Sequence, residues 1–209
     1  MAVMTALIFT IIGYLSGSLP FSIWLGRLAF GVDIRRVGAD HNPGAANVFK
    51  VGGKRKWWVG MAAILADGLK GLIPVAIALY NFDVSGWGLV PVAVAPVAGH
   101  AFSIFLKFKG GKALATTFGI WTALTVWPGP LVLGFFFALF YIILTNNAWA
   151  AILGMLGLAG YLLLSHASPI FLAIWVLNFA IMLWKHRTEL RQPVRLNTFS
   201  GRSRSQSSE

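Results

Sequence analysis

Long apolar runs separated by short polar segments constrain this chain more than any other feature. A helix that crosses the hydrocarbon core needs roughly 20 predominantly apolar residues, and lipid leaves the backbone no partners outside its own helix. The 209 residues are 57% hydrophobic and 11% charged. The sequence therefore predicts an all-α polytopic membrane protein with about seven transmembrane helices, near residues 3–25, 58–80, 87–106, 113–127, 130–144, 148–164 and 169–184. The fourth and fifth spans are short, and the Trp-Pro-Gly-Pro sequence between them could instead kink one long helix.

The basic residues are confined to particular loops. Of 17 Lys and Arg, seven lie at 27–56, three at 107–112 and six from 185 onward, whereas the segments 81–86, 128–130 and 165–168 carry none. Positive residues mark the cytoplasmic side. Seven spans then predict an N-terminus outside and a cytoplasmic C-terminus, and the net charge of +11 is assigned to membrane topology, with no nucleic acid partner. We expect a membrane domain at 1–190, a disordered cytoplasmic tail at 191–209, and a location in a bacterial plasma membrane.

The segment 107–112, Lys-Phe-Lys-Gly-Gly-Lys, is a basic hinge between two apolar runs. Adjacent Gly110 and Gly111 can adopt positive φ and let the backbone approach a ligand. Lys107, Lys109 and Lys112 add charge, and the amides that open the next helix add a partial positive dipole. The hinge predicts a phosphate site, although a basic loop that only sets membrane orientation would look similar.

The longest loop, 27–56, combines turn residues with possible ligand donors. Its Asn, Pro and Gly residues would suit a solvated connector. The stretch 47–51 is apolar enough to return to the membrane surface, and Asn42, Asn47 and Lys50 could bind phosphate or hydroxyl groups. We favour a binding loop over a plain connector.

Few polar residues lie within the predicted spans. Asp67 and Lys70 are three residues apart and share a helix face, which predicts a buried ion pair beside the site. His100 is predicted to make an interhelical hydrogen bond. Thr116 follows Lys112 by one turn and could face the same pocket. The last three spans are predicted to be scaffold, with Gly154, Gly157 and Gly160 as a packing face.

Several motifs together resemble one known family. They are Asn42-Pro43-Gly44-Ala45-x-Asn47-Val48, Asp67-x-x-Lys70-Gly71-x-x-Pro74, and Gly99-His100 followed by Phe108-Lys109-Gly110-Gly111-Lys112-x-x-Ala115-Thr116. Over nearly the whole chain the sequence resembles the bacterial integral-membrane glycerol-3-phosphate acyltransferases that use acyl phosphate as donor.

The resemblance implies an enzyme that moves a fatty acyl group from acyl phosphate to the 1-hydroxyl of glycerol 3-phosphate in phospholipid synthesis, giving lysophosphatidate. It implies a membrane-lipid setting and no cofactor. No second His or carboxylate lies at a metal-ligand spacing from His100 on its helix, so the sequence predicts no metal site. The resemblance also implies that Lys112 holds phosphate, that Gly110 and Gly111 offer backbone donors, and that His186, with Arg187 beside it, contacts the acceptor. Asn42, Gly44, Asn47, Lys50, Lys109 and Thr116 complete the expected substrate site, with Asp67, Lys70 and His100 supporting it.

The chain also departs from the family pattern. Ala39 lies where a serine is expected, Ala46 replaces a threonine, and Lys50 replaces an arginine. Asp40 or His41 could supply the missing polar group. Glu189 stands where the family has an asparagine, and its carboxylate would repel phosphate unless Arg187 or Arg191 neutralises it. Two alternatives stay open: a diverged paralogue that uses another acceptor, and a non-catalytic membrane protein that binds lipid or phosphate.

Overall fold

A computed structural model describes residues 2–37 and 41–197. Within these ranges the chain is helical. Its α-helices are α1 (Ala2–Ser18), α2 (Phe21–Phe30), α3 (Ala45–Gly52), α4 (Trp57–Tyr80), α5 (Leu89–Ala101), α6 (Leu114–Thr125), α7 (Pro128–Ile143), α8 (Asn147–Leu164) and α9 (Pro169–Leu190). Short 3₁₀ turns lie at Ile34–Arg36, Gly86–Gly88 and Ile104–Leu106. Residues 38–40 and 198–209 lie outside the described residues, so the expected roles of Ala39 and Asp40 are not tested.

The helices are long and apolar enough for a multi-pass membrane protein. Five helical stretches qualify as spans by length and composition among the described residues: Ala2–Phe30, Trp57–Tyr80, Gly86–Leu106, Asn147–Leu164 and Pro169–Leu190. The remaining apolar helices, Leu114–Thr125 and Pro128–Ile143, are shorter. They are separate helices, because the chain breaks at Val126, where φ is 62°. The count of seven spans and the orientation of the termini stay predictions.

In the first predicted span, Pro20 and the polar sequence Ser16-Gly17-Ser18 predict a kink. The helix breaks there, between α1 and α2. The helix α1 packs closely against α5. A Cβ on Gly17 would collide with the backbone of Pro96, and one on Gly99 would collide with the backbone of Tyr14. Small residues therefore let these two helices approach each other, as expected for helix packing in a membrane.

The first loop is a folded unit rather than a plain connector. After the turn Ile34–Arg36 the chain forms α3, which packs against α2 and α4. Their contact is a separate small core of Ile23, Ile34, Val48, Val59 and Ala63. This packing fixes the loop against the membrane domain, which is what a binding loop requires.

The main core lies among α5, α6, α8 and α9 and contains one polar network that the sequence did not suggest. Asn178 Nδ2 donates to Thr117 Oγ1 at 3.0 Å, and Trp121 Nε1 donates to Asn178 Oδ1 at 3.2 Å. All three residues are buried. Asn178 therefore acts within the scaffold predicted for the last spans, since its amide ties α9 to α6.

The rest of the scaffold mostly follows expectation. Gly154 and Gly157 pack against Phe137 and Phe136, whereas a Cβ on Gly160 would meet open space. After α9 the chain returns to the α7–α8 connection, where Leu196 pairs with Leu144. The predicted disorder of the tail stays a prediction for residues 198–209.

Candidate active site

The predicted ion pair within α4 is confirmed and joins three helices. Lys70 Nζ lies 2.8 Å from Asp67 Oδ1 and donates to the carbonyl of Leu19 at 2.8 Å. Ser22 Oγ donates to Asp67 Oδ2 at 2.8 Å, and Thr116 Oγ1 donates to the Asp67 carbonyl at 2.9 Å. Both charged side chains are buried. A buried pair with this many partners holds the break between α1 and α2 against α4 and α6.

His100 connects this cluster to the glycine hinge. Its Nδ1 lies 3.8 Å from Asp67 Oδ1 and has no hydrogen bond to any described residue. The predicted interhelical hydrogen bond is therefore not found at that ring nitrogen. Instead the His100 carbonyl accepts a hydrogen bond from the Gly111 amide at 3.0 Å. His100 thus positions the hinge through its backbone.

The hinge glycines are required by close packing and not by unusual backbone angles. The expected positive φ at Gly110 and Gly111 is wrong, because the left-handed residues here are Lys107, Phe108 and Ala113, with φ of 52°, 61° and 61°. A Cβ on Gly110 would collide with the His100 carbonyl oxygen and lie 2.8 Å from that of Ala101. A Cβ on Gly111 would collide with His100 Nε2.

Lys185 fixes the other side of the hinge. Its Nζ donates to the Gly110 carbonyl at 2.9 Å and to the Ala101 carbonyl at 3.0 Å. The same ammonium lies 5.5 Å from the centroid of the Phe102 ring. One lysine on α9 thus joins the end of α5 to the hinge.

The first loop is held beside the hinge by its own polar contacts. Asn47 Nδ2 donates to the Asn42 carbonyl at 2.8 Å, and Gly44 forms the N-terminal cap of α3. Earlier in the loop, Asp33 pairs with Arg35 at 2.6 Å and with Arg27 at 2.8 Å. The Arg35 guanidinium, with help from Arg27, holds the pKa of the Asp33 carboxyl well below its usual range, although burial opposes this.

The first loop, the hinge with the residues just before it, and the end of α9 line a cavity of about 860 Å³. Its basic lining comes from the first loop, the hinge and the end of α9: Arg35, Arg36, Lys107, Lys109, Lys112, Lys185 and Arg187. Phe102, Phe105 and Phe108 supply an apolar wall, and Phe105 and Phe108 are exposed on the outer surface. The cavity can therefore hold an anion next to an apolar chain.

Two acidic residues, Asp33 and Glu189, also line the cavity. The sequence analysis predicts that the Glu189 carboxylate would repel phosphate. Glu189 Oε1 lies 2.9 Å from Lys112 Nζ. A lysine of the hinge, rather than Arg187 or Arg191, thus supplies the positive charge beside Glu189. Arg187 instead lies over the Trp184 ring at 4.5 Å and donates to the Trp184 carbonyl at 2.6 Å.

The predicted site residues divide into those that line the cavity and those that do not. Asn42, Lys109, Gly110, Lys112 and Arg187 line it, as does His41. Gly44, Asn47, Lys50, Gly111, Thr116 and His186 are not among its lining residues, nor are the supporting Asp67, Lys70 and His100.

The hydrogen bonds of Thr116 and His186 show what these two side chains contact instead of the cavity. Thr116 faces the Asp67 carbonyl, so the expectation that it faces the pocket is wrong. His186 is buried, and its Nδ1 donates to the Met182 carbonyl at 2.8 Å.

Sequence reasoning missed Arg35 and Arg36 as cavity residues, and it identified Lys107 and Lys185 only as members of basic segments expected to converge. The sequence shows that these residues are basic, but it does not show where their side chains point. Among the described residues, no three His, Cys, Asp or Glu side chains come together as ligands for a metal ion.

Comparisons with known proteins agree with this architecture. Residues 7–195 match the model of a family described as glycerol-3-phosphate acyltransferase. Glycerol-3-phosphate acyltransferase 1 of Thermotoga maritima is 37% identical over 195 residues, which cover 87% of this chain and 94% of the relative. The glycerol-3-phosphate acyltransferase of Rubrobacter xylanophilus is 36% identical over 207 residues, which cover 96% of this chain and 98% of the relative.

A solved structure has the same fold. The crystal structure of PlsY (YgiH), an integral membrane glycerol 3-phosphate acyltransferase, in its glycerol 3-phosphate form matches with a TM-score of 0.78 and 30% identity. The match covers 88% of this chain and 90% of that one. A lysophosphatidic acid form of the same enzyme matches with a TM-score of 0.78 and 29% identity. With a family match over most of its length and this shared membrane fold, the chain belongs to the glycerol-3-phosphate acyltransferase family of integral membrane enzymes.

Proposed function

We propose that the protein transfers a fatty acyl group from acyl phosphate to the 1-hydroxyl of glycerol 3-phosphate, giving lysophosphatidate and inorganic phosphate. The observation that carries this proposal is the cavity of about 860 Å³, with basic side chains from three segments and an apolar wall that continues onto the exposed surface. Both substrates carry phosphate, and the donor also carries an acyl chain. The solved relatives in glycerol 3-phosphate and lysophosphatidic acid forms support the same acceptor and product.

In this proposal Lys112, which lines the cavity, binds phosphate. Lys109 and Arg187 add positive charge at the cavity wall, and Asn42 offers an amide from the first loop. The Gly111 amide already donates to the His100 carbonyl, so its N–H holds the hinge in shape and Gly110 is the glycine that faces the ligand. His186, which does not line the cavity, would act on the acceptor only by supporting neighbouring groups.

A site that mainly positions its two substrates can catalyse this reaction. The acceptor hydroxyl oxygen attacks the acyl carbonyl carbon, and the bond from that carbon to the phosphate oxygen breaks. The released phosphate takes up the proton that the hydroxyl group loses. Acyl phosphate is already activated, so two anions held in register by fixed donors can supply much of the rate acceleration.

The proposed setting is a bacterial plasma membrane with the active site on the cytoplasmic side. Lys109, Lys112, Lys185 and Arg187 all meet at this cavity. Basic residues next to spans favour the cytoplasmic face. The substrates' phosphates would enter from that side while the acyl chain stays at the lipid surface.

A phosphate-release assay tests the function. Purified protein in detergent or lipid mesophase is given palmitoyl phosphate, with and without glycerol 3-phosphate. We expect acceptor-dependent release, and about a 10- to 100-fold lower kcat/KM in Lys112→Ala, because an interaction with a charged group is lost. Lys54→Ala, which removes an exposed lysine outside the cavity, serves as the matched control.

The other outcomes separate the alternatives. Donor hydrolysis that does not depend on glycerol 3-phosphate would indicate a different acceptor. Substrate binding without any turnover would indicate a non-catalytic protein.

A further inference from the structure

The C-terminal end of α5 offers two backbone carbonyl groups to its neighbours. The last carbonyls of an α-helix have no partner within the helix, so other groups must satisfy them. At this end the His100 carbonyl accepts from the Gly111 amide at 3.0 Å, and the Ala101 carbonyl accepts from Lys185 Nζ at 3.0 Å. The helix dipole also favours a cation at a helix C-terminus. Lys185, which comes from α9, therefore lies where α5 meets the hinge.

The peptide group between Gly110 and Gly111 is held at both ends. Its oxygen, the Gly110 carbonyl, accepts from Lys185 Nζ at 2.9 Å. Its N–H, which belongs to Gly111, donates to the His100 carbonyl. The oxygen and the N–H of a planar trans peptide point in opposite directions, so the two bonds restrain the group from opposite sides. Rotation of this peptide would break both bonds.

A peptide between two glycines needs such a restraint. Neither residue has a Cβ, so the group between them can rotate with little steric resistance. A hydrogen bond from a charged donor is also stronger than one between neutral groups. The bond from Lys185 is therefore the stronger of the two restraints on the Gly110–Gly111 peptide.

The restrained peptide belongs to the wall of the cavity. Gly110, Lys112 and Lys185 all line it. Lys112 is the second residue after Gly110, so rotation of the peptide between Gly110 and Gly111 would shift the lysine that is proposed to bind phosphate. The orientation of one peptide group thus decides whether the hinge matches its ligand.

We propose that Lys185 is a positioning residue for acyl transfer: its ammonium locks the Gly110–Gly111 peptide in the orientation in which the hinge binds phosphate. Lys185 acts through the backbone and needs no contact with either substrate. Its effect on the hinge is independent of the reaction, whereas its effect on turnover rests on the proposed function.

Hydrogen exchange at the hinge tests the locking of the peptide. Amide exchange of peptides that cover 107–112 is followed by mass spectrometry in the native protein, Lys185→Met and Lys185→Arg. We expect exchange at the hinge to be about 10- to 100-fold faster in Lys185→Met, the range for a hydrogen bond from a charged group. Lys185→Arg should return toward native exchange, because its guanidinium has enough donors for both carbonyls. If Lys185 only held α9 in place, exchange would rise along α9 and not selectively at the hinge.

The kinetics of phosphate release test the effect on the reaction. A ligand binds more weakly, in proportion, when only a fraction of the molecules has the competent conformation. We therefore expect the KM for palmitoyl phosphate to rise by about 10- to 100-fold in Lys185→Met and to recover in Lys185→Arg. A loss of folded protein alone would lower the apparent kcat and leave KM unchanged.

Lys56→Met is the matched control. Lys56 makes the same kinds of contact but does not line the cavity: its Nζ donates to the Ala29 carbonyl at 2.8 Å and lies 5.3 Å from the centroid of the Phe30 ring. This variant should keep native exchange at the hinge and a native KM. If Lys185→Met does not fold, Lys185→Gln, which keeps only a neutral donor, carries both comparisons.

The results distinguish this inference from the proposed function. Native hinge exchange in Lys185→Met or Lys185→Gln would overturn the locking, even if the native protein turns over normally. Faster hinge exchange with an unchanged KM would overturn the role in the reaction. Faster hinge exchange in a protein whose native form shows no turnover would support the locking and contradict acyl transfer.

Discussion

Gly110→Ala should disrupt the hinge because the new Cβ has backbone atoms in its way. It would collide with the carbonyl oxygen of His100 and lie 2.8 Å from that of Ala101. Backbone atoms cannot rotate aside as a side chain can, so the hinge must move. Overpacking of this kind costs about 1–3 kcal/mol. For a chain of this size we expect the melting temperature to fall by about 2–12 °C.

The same displacement should lower activity. The Gly110 carbonyl accepts from Lys185, and Gly110 lines the cavity beside Lys112. A shifted hinge breaks or lengthens the Lys185 bond and moves the proposed phosphate site. Thermal unfolding followed by tryptophan fluorescence in detergent measures the first effect, and phosphate release from palmitoyl phosphate measures the second.

Gly160→Ala is the matched control. It makes the same change within α8 at a position where, apart from its chain neighbours and the nearby backbone of its own helix, no atom lies within 4 Å of the new Cβ. Alanine in a helix interior is favoured over glycine by about 0.5–1 kcal/mol, so this variant should be at least as stable as the native protein. A Gly110→Ala protein with native melting and native activity would refute the close approach. Equal destabilisation in both variants would show that the effect is not specific to the hinge.

Two further predictions concern the buried and the loop carboxylates. Asp67→Asn leaves the buried Lys70 ammonium without its charge partner, so we expect a loss of about 3–5 kcal/mol and a clearly lower melting temperature, whereas Asp83→Asn at the exposed loop should melt normally. Because the pKa of Asp33 is lowered in the folded protein, its stabilisation is present above the ordinary aspartate value of about 3.9 and is lost as the pH falls below it. The native melting temperature should therefore drop more between pH 7 and pH 3 than that of Asp33→Asn, and parallel drops would contradict this.

Features set by local spacing were predictable from the sequence. The three-residue separation of Asp67 and Lys70 places both on one face of a helix, and their ion pair is present. Pro20 and its polar neighbours indicated the break in the first span. The basic loops indicated which segments meet at the site, because the charge of a residue can be read from the sequence even when the orientation of its side chain cannot.

Features that depend on helix rotation and on distant contacts were not predictable. Lys112 and Glu189 are far apart in sequence, and only the packing of α9 beside the hinge brings them to 2.9 Å. The role of Lys185 follows from two carbonyl groups that α5 and the hinge expose. The positive φ angles at Lys107, Phe108 and Ala113 likewise cannot be read from residue spacing.

The break between α1 and α2 has a consequence for the order of biosynthesis. The Leu19 carbonyl lies at this break and accepts from Lys70, and Ser16 Oγ donates to the Lys70 carbonyl. During translation the N-terminal segment emerges before α4 exists, so this carbonyl has no Lys70 to pair with in the nascent chain. A polar backbone group without a partner is costly in hydrocarbon. We therefore expect the first segment to settle at its final depth only after Trp57–Tyr80 has been synthesised.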